Sequence, residues 1–373
     1  MTTTRTSYLG ELLKLAVKQG ASDVHLRAGK QPYMRVDGEL EKIDKPRLDA
    51  TDVLDAVNSG LDHKDQARFD ERRALDTIVS SDDGRRFRGT LFHDRHGPAA
   101  TYRPVPPSRT LVELGLPSII ETWTDKRRGL ILITGPTGSG TTATLAGIAE
   151  HVNQTRAAHI LTLGHPIEHL HRGQKALFTQ LAVAREDIPR ALRAAGRQDP
   201  DLVVVDELPD ANSVKDAMKL AESRLVAAGL RTTSVFTTLE QLLDDLPQER
   251  QIWMRYQLAR VLIGISSQKL VARRRENGHP GTETTHGRVA AVETAIATGG
   301  LRNSILDGKL GTVHNILQTR AGGNRTMNQA LTELAAAGTI TIETALETSN
   351  LPHELKGRLK AKGKKKAQPA APH

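Results

Sequence analysis

The sequence contains no cysteine, few aromatic residues and no long apolar run. Without cysteine the chain cannot form disulfides, use a thiolate nucleophile or build a thiolate metal site. Aromatic residues are only 3% of its 373 residues, which argues against a stacking surface for single-stranded nucleic acid, so no nucleic-acid partner is expected. No apolar run approaches the roughly 18 residues of a membrane span, and the first residues lack the apolar segment of a secretory signal. We therefore expect a cytoplasmic protein.

The net charge of +9 is unevenly placed along the chain. Much of it lies near the end, in the segment LKGRLKAKGKKKAQPAAPH. Lysine, alanine and proline cannot bury a core, so this composition predicts a basic disordered tail over residues 353–373. Contact between the tail and anionic lipid or nucleic acid is the alternative.

The first part of the chain, residues 1–104, has the pattern of a small α+β domain. Apolar residues recur at helical spacing from Leu9 to Ala16, and Gly20 is placed to end that helix. Strands are predicted from SDVHLRA, PYMRVDGEL, RRFRGTLFHD and AATYRPV, the second of these being a hairpin with Asp37–Gly38 at its turn. The proline-containing run YRPVPPSRT then predicts a linker, which we place at residues 105–112.

Residues 113–352 show a different pattern, in which short apolar runs alternate with helical segments. The runs are GLILITG, HILTLGH and DLVVVDE. Strands that are apolar throughout, with helices between them, are typical of a mostly parallel sheet covered on both faces. We therefore predict an α/β fold class, with helical periodicity taking over from Asn303 onward.

The segment LITGPTGSGTTATLAG (Leu132–Gly147) has the spacing of a phosphate-binding P-loop between a strand and a helix. In such a loop successive backbone N–H groups point into one concavity at a helix N-terminus. Thr141 takes the place of the usual lysine; it is neutral and too short to reach the phosphates, and the loss of one such group costs about 10²–10³ in rate. The predicted nucleotide-binding residues here are Gly135, Thr137, Gly138, Ser139, Gly140, Thr141 and Thr142.

The segment DPDLVVVDELPD places Asp206 and Glu207 at the end of an apolar strand, as in a Walker B motif. One carboxylate in that position can hold Mg²⁺ and a second can position the attacking water. We therefore predict Asp206, with the hydroxyl of Thr142, as Mg²⁺ ligands and Glu207 as the catalytic residue. A strand that ends in a solvated acidic turn is the alternative.

Several ordered motifs together resemble the retraction ATPases of type IV pili (PilT-like), which are secretion-type motor ATPases. They are ASDVHLRAGKQPYMRVDGEL, RFRGTLF, LITGPTGSG, HPIEHLH, DPDLVVVDE, LRTTS and LRNSILDGK. The resemblance implies a PAS-like N-terminal domain, a RecA-like ATPase domain, and ATP with Mg²⁺ as cofactors. It also implies a homo- or hetero-hexamer of PilT-like subunits, an inner-membrane platform protein of the pilus as partner, and a peripheral position at that membrane as a candidate location. Arginines of the N-terminal domain that reach the nucleotide correspond to Arg88 or Arg103.

The chain departs from this family at its most chemically committed positions. Where the family reads E-D-P-I-E, with the first glutamate as the candidate base, this chain has Gly164 and His165. Where the family reads L-H-T-T, Arg231 replaces the histidine. Together with Thr141, these changes predict a pseudo-ATPase that acts as a structural or regulatory subunit of the pilus machinery. The alternative is an active ATP-hydrolysing hexameric motor with a rearranged site, in which Glu207 polarises water and an arginine replaces the lysine.

Overall fold

The computed structural model describes residues 7–36, 38–81, 83–105, 107–244, 248–274 and 287–366. The chain divides into two units. The first comprises residues 1–107 together with residues 165–170, and the second comprises residues 108–164 and 171–373. The return of residues 165–170 to the first unit has no counterpart in the predicted boundaries, which follow the chain without interruption.

The first unit contains one antiparallel sheet of six strands in the order β3-β2-β1-β6-β5-β4. Its strands are β1 (Asp23–Arg27), β2 (Tyr33–Val36), β3 (Glu39–Lys42), β4 (Ala74–Ser80), β5 (Arg86–Asp94) and β6 (Gly97–Val105). Its helices are α1 (Tyr8–Lys18), α2 (Ala50–Asn58) and α3 (His63–Arg72).

Local sequence explains most of the first unit. Ser7 accepts a hydrogen bond from the Gly10 N–H and so caps α1, and the apolar residues at helical spacing from Leu9 to Ala16 are buried as predicted. The hairpin of β2 and β3 is present around Gly38, whereas Asp37 lies outside the described residues. The predicted linker starts too early, because β6 continues to Val105 through its pairing with β5.

The second unit contains a sheet of seven strands in the order β13-β12-β7-β11-β10-β8-β9. All neighbours are parallel except β12 and β13, which are antiparallel. Its strands are β7 (Gly129–Thr134), β8 (His159–Gly164), β9 (Leu177–Ala182), β10 (Leu202–Val205), β11 (Leu225–Leu230), β12 (Leu262–Ala272) and β13 (Arg288–Ile296).

Helices accompany this sheet along the chain and continue to the end of the second unit. They are α4 (Ile119–Trp123), α5 (Thr141–Thr155), α6 (Ile188–Ala195), α7 (Ala211–Ala221), α8 (Val235–Asp244), α9 (Gln248–Val261), α10 (Gly299–Leu306), α11 (Val313–Gln318), α12 (Met327–Ala336), α13 (Ile342–Thr348) and α14 (Pro352–Lys366).

The central strands are buried on both faces, which explains their unbroken apolar runs. In β7, Leu130 and Leu132 belong to one hydrophobic cluster, while Ile131 and Ile133 belong to another on the opposite face. Because successive side chains of a strand point to opposite faces, each apolar residue contributes to one of two cores. Full burial of each such side chain stabilises the fold by about 1.5–3 kcal/mol.

Two predictions for the second unit are wrong. The chain after β8 does not form a helix; it leads to β9, which pairs in parallel with β8.

The predicted tail is helical from Pro352 to Lys366, because Leu355 is fully buried and Leu359 packs against the same cluster of α12 and α13 side chains. These two leucines give the lysine-rich segment an apolar contact, and residues 367–373 lie outside the described residues. Among the helices that the structure describes, none has the length and apolar character to cross a bilayer.

Glu293 of β13 links the N-termini of two helices. It is 7% exposed, and its carboxylate accepts hydrogen bonds from the N–H of Val235, the first residue of α8 (2.8 Å), and of Met327, the first residue of α12 (3.0 Å). Burial raises the pKa of Glu293, and the two N–H donors act in the opposite direction. A carboxylate there satisfies two amides that have no acceptor within their own helices.

We expect Glu293→Leu to destabilise the protein, because both amides then lose their acceptor. Each unpaired buried donor costs about 1–3 kcal/mol, and Glu293→Gln should cost less because its amide oxygen keeps one of the two bonds. Urea unfolding measures the free energies, with Glu39→Gln on the exposed strand β3 as the control. Equal stabilities of the leucine variant and the wild type would contradict this assignment.

Candidate nucleotide-binding site

The glycine-rich loop lies between β7 and α5, as the motif requires. Gly138 and Gly140 have φ angles of +80° and +89°, a left-handed conformation that glycine adopts without steric cost. Gly140 is the N-cap of α5, so the loop ends at a helix N-terminus whose first amides have no intrahelical acceptor. This arrangement is a concavity suited to phosphate oxygens.

Close packing fixes the floor of the loop. A Cβ at Gly135 would lie 2.3 Å from Ser139 Oγ and 2.5 Å from the carbonyl oxygen of Gln268, so only glycine fits there. Ser139 is buried, and its hydroxyl has no hydrogen-bond partner within the described parts of the chain. The loop therefore has the shape of a phosphate cradle and also keeps a buried polar atom without a protein partner.

Gln268 of β12 anchors the loop, and sequence reasoning missed it. Its Nε2 donates to the carbonyl oxygen of Ser139 at 3.0 Å, and its Oε1 accepts from the Thr144 hydroxyl at 3.0 Å. The available signal was the run of polar residues at the centre of an otherwise buried strand, Ser266, Ser267 and Gln268. A buried polar side chain must find partners, and here the partners are the loop and the first turns of α5.

The residues present fit a magnesium ion that a nucleotide brings with it. Among the described residues, no group of three or more His, Cys, Asp or Glu side chains could hold a metal. Magnesium at phosphate sites uses only one or two protein oxygens, with phosphates and water completing its shell. The Thr142 hydroxyl and the Asp206 carboxylate are oxygen ligands of this kind. Their assignment as Mg²⁺ ligands stays a prediction.

The parallel sheet brings the other predicted residues of the second unit to the same edge. Thr134 at the end of β7 pairs with Leu230 at the end of β11, and Val205 at the end of β10 pairs with Leu163 on β8. The residues that follow these strand ends therefore share the edge that carries the P-loop. They are Asp206, Glu207 and Arg231, together with Gly164, the last residue of β8.

Glu207 is held by two arginines. Its Oε2 accepts from Arg231 Nε and Nη2 at 2.8 and 2.7 Å, and its Oε1 lies 2.9 Å from Arg185 Nη1. The Glu207 side chain is 24% exposed. Charge-assisted bonds of this kind are about twice as strong as neutral ones, so both oxygens of this carboxylate are engaged by cations. Arg185 precedes α6 and has no motif around it that would predict this contact.

Asp206 and Gly164 are matched in space. A Cβ at Gly164 would lie 1.9 Å from Asp206 Oδ2 and 2.5 Å from its Cγ. The Asp206 N–H donates to the carbonyl oxygen of Leu163 at 3.0 Å, which fixes the backbone of Asp206 beside the end of β8. In this conformation the aspartate is compatible only with glycine at position 164.

The remaining predicted residues, Arg88, Arg103 and His165, belong to the first unit. Arg88 pairs with Glu168 at 3.0 Å, and Arg103 pairs with Asp23 at 2.7 Å. Burial alone would raise the pKa of Asp23, but hydrogen bonds from Ser22 and Arg103 hold that pKa below its usual value. A role for these arginines toward a nucleotide stays a prediction.

Comparison with known proteins gives a consistent result. The family model of type II/IV secretion system proteins matches residues 4–347. The chain is 36% identical over 347 residues to the type IV pilus retraction ATPase PilT of Pseudomonas aeruginosa, covering 92% of this chain and 98% of that protein. It is 34% identical over 319 residues to a twitching motility protein of Neisseria gonorrhoeae, covering 84% and 83%.

Solved structures agree with the sequence comparison. The crystal structure of the pilus retraction motor PilT with bound ADP superposes with a TM-score of 0.84 at 35% identity, covering 95% of this chain and all of that one. The predicted α/β class, with an N-terminal domain and a RecA-like ATPase domain, is confirmed. The chain therefore belongs to the type II/IV secretion system protein family and, within it, to the family of PilT-like secretion ATPases.

Proposed function

We propose that this chain is a subunit of a type IV pilus machinery and acts there as a structural or regulatory partner. In this subunit ATP turnover is lost or strongly reduced. The observation that carries the proposal is Thr141, a neutral residue at the first position of α5. The loop geometry that binds phosphate is kept, while the cation that stabilises the transferring phosphoryl group is missing.

The second support is the environment of Glu207. A carboxylate that positions water must direct an oxygen at it, and three of the roughly four acceptor sites of Glu207 are taken by the guanidinium groups of Arg185 and Arg231. If the missing cation and the engaged carboxylate each cost about 10² in rate, or roughly 2.7 kcal/mol of barrier, their combination would reduce turnover below a useful rate.

Membership of the family supports a proposal for the assembly. PilT-like relatives of this chain are described as retraction and twitching motility proteins, and one solved relative is a pilus retraction motor with bound ADP. We propose a homo- or hetero-hexamer of PilT-like subunits that works on the cytoplasmic side of the inner membrane, with the pilus platform protein as partner. In a mixed ring, an impaired subunit would change the stepping of its active neighbours.

Restoring the lysine tests the missing cation. Thr141→Lys should tighten MgATP binding by about tenfold or more and raise hydrolysis above the wild-type rate, because the lysine supplies the absent charge. Isothermal titration and phosphate release measure the two quantities. Thr155→Lys, at the exposed end of the same helix, is the matched control. A wild-type protein that hydrolyses ATP as fast as Thr141→Lys would contradict the proposal.

A second candidate function is an active motor with a rearranged site. The observation that favours it is the position of Arg231, directly after Leu230, which pairs with the last residue of β7 before the P-loop. A guanidinium at that edge can exchange its carboxylate partner for a phosphate, since both accept bidentate bonds. Release of Arg231 would at the same time free one oxygen of Glu207.

Two substitutions separate the candidates. In an active motor, Glu207→Gln and Arg231→Gln should each lower hydrolysis by about 10²–10³; under the main proposal neither changes the low basal rate. Arg193→Gln, which removes an exposed arginine paired with Asp216, is the control. Phosphate release and pilus retraction in cells are the readouts. Loss of retraction in the single variant Glu207→Gln would favour the active motor.

A further inference from the structure

The edge of the sheet next to the P-loop holds two carboxylates that differ in their surroundings. Glu207 is bonded to Arg185 and Arg231 through both oxygens. The carboxylate of Asp206 lies over Gly164, in the place where any side chain at position 164 would begin. The absence of a side chain at Gly164 therefore leaves space at the end of β8 for the carboxylate of Asp206, which directly follows β10.

The sheet fixes how far this carboxylate lies from the phosphate loop. Strand β10 is separated from β7 by one strand, β11. Neighbouring strands are about 4.8 Å apart, so the ends of β10 and β7 are about 10 Å apart. A terminal phosphate bound by the loop and one water molecule together fill a gap of this size. The Asp206 carboxylate lies over Gly164 of β8, on the side of β10 away from β7, so this gap between the loop and the carboxylate leaves room for a water molecule.

Backbone contacts hold Asp206 firmly in this position. Its N–H donates to the carbonyl oxygen of Leu163, and its carbonyl oxygen would be only 2.1 Å from a Cβ at Gly229 on β11. Glycine on both neighbouring strands thus lets Asp206 fit between them. A catalytic group needs a fixed position of this kind, because small displacements reduce the rate steeply.

We propose that Asp206 is the water-polarising carboxylate of this site and that Gly164 is glycine in order to accommodate it. In the step, the water oxygen forms a bond to the γ-phosphorus while the bond from phosphorus to the β,γ-bridging oxygen breaks. The electron pair of that bond leaves with ADP, and the proton of the water passes to the Asp206 carboxylate and from there to inorganic phosphate. The inference rests on the proposed function in one respect: the protein hydrolyses ATP poorly because it has no cation at position 141.

The test uses the full chain with the lysine restored. In the Thr141→Lys background, Asp206→Asn should lower the rate of phosphate release by about 10²–10³ and leave the Kd for MgATP within about twofold. A Mg²⁺ ligand would behave differently, because its loss weakens MgATP binding itself. Asp199→Asn is the matched control: its carboxylate is 86% exposed, it precedes the same strand, and its left-handed backbone accepts asparagine.

A second measurement tests the spatial match without relying on turnover. Gly164→Ala should lower the melting temperature, since the new methyl group forces the Asp206 carboxylate out of place. The same change in an Asp206→Gly protein should cause little further loss. Equal effects of Gly164→Ala in both backgrounds would overturn the match.

The outcomes separate this inference from the proposed function. Turnover in Thr141→Lys that survives Asp206→Asn, or a Thr141→Lys protein without turnover, overturns the role of Asp206. Weakened MgATP binding in Asp206→Asn assigns the residue to the metal instead and also overturns it. Fast hydrolysis by the wild type overturns the proposed function alone, and Asp206→Asn in the wild-type background then tests the inference with the same two readouts.

Discussion

Parallel pairing among β7, β11, β10 and β8 is the constraint on which the nucleotide site depends. These strands come from separate segments of the chain, yet parallel pairing places their carboxyl ends along one edge of the sheet. The apolar side chains that hold the strands together point into two cores, whereas the polar residues of the site lie at the strand ends. The edge can therefore change its polar residues while the sheet remains stable, which is how a retained fold and an altered site occur in one molecule.

In the phosphate loop, too, the residues that determine the backbone shape differ from the residues that supply charge. Its curvature depends on glycines and on Gln268, whose amide bonds the loop to β12 and to α5. None of these groups carries a net charge, so the shape of the loop does not depend on a lysine at position 141. A loop of this kind can keep binding phosphate through its amides after losing most of its power to stabilise a transition state. Binding without turnover is what we propose for this chain.

The sequence predicts the parts of this molecule that local patterns determine. The helix from Leu9 to Ala16, the buried runs of β7, β8 and β10 and the P-loop all follow from periodicity and spacing. Strand β9 was missed because its residues are only partly buried and show no apolar run. The helix α14 was missed because two leucines among many lysines give no visible pattern until their contacts are known. Arg185 and Gln268 act on residues more than twenty positions away, and no single-sequence signal specifies such pairings.

Three altered positions are not three independent losses. At position 231 the arginine is bonded to Glu207, and at position 164 the glycine makes room for Asp206, so each change is matched by a neighbour in space. Thr141 differs, because the two cations beside the strand ends, Arg185 and Arg231, are both engaged by the same carboxylate. Under the proposed function, the missing positive charge is therefore at the N-terminus of α5. Under the proposed function, a positive charge at that position, from this chain or from a neighbouring subunit, would restore part of the ATP hydrolysis.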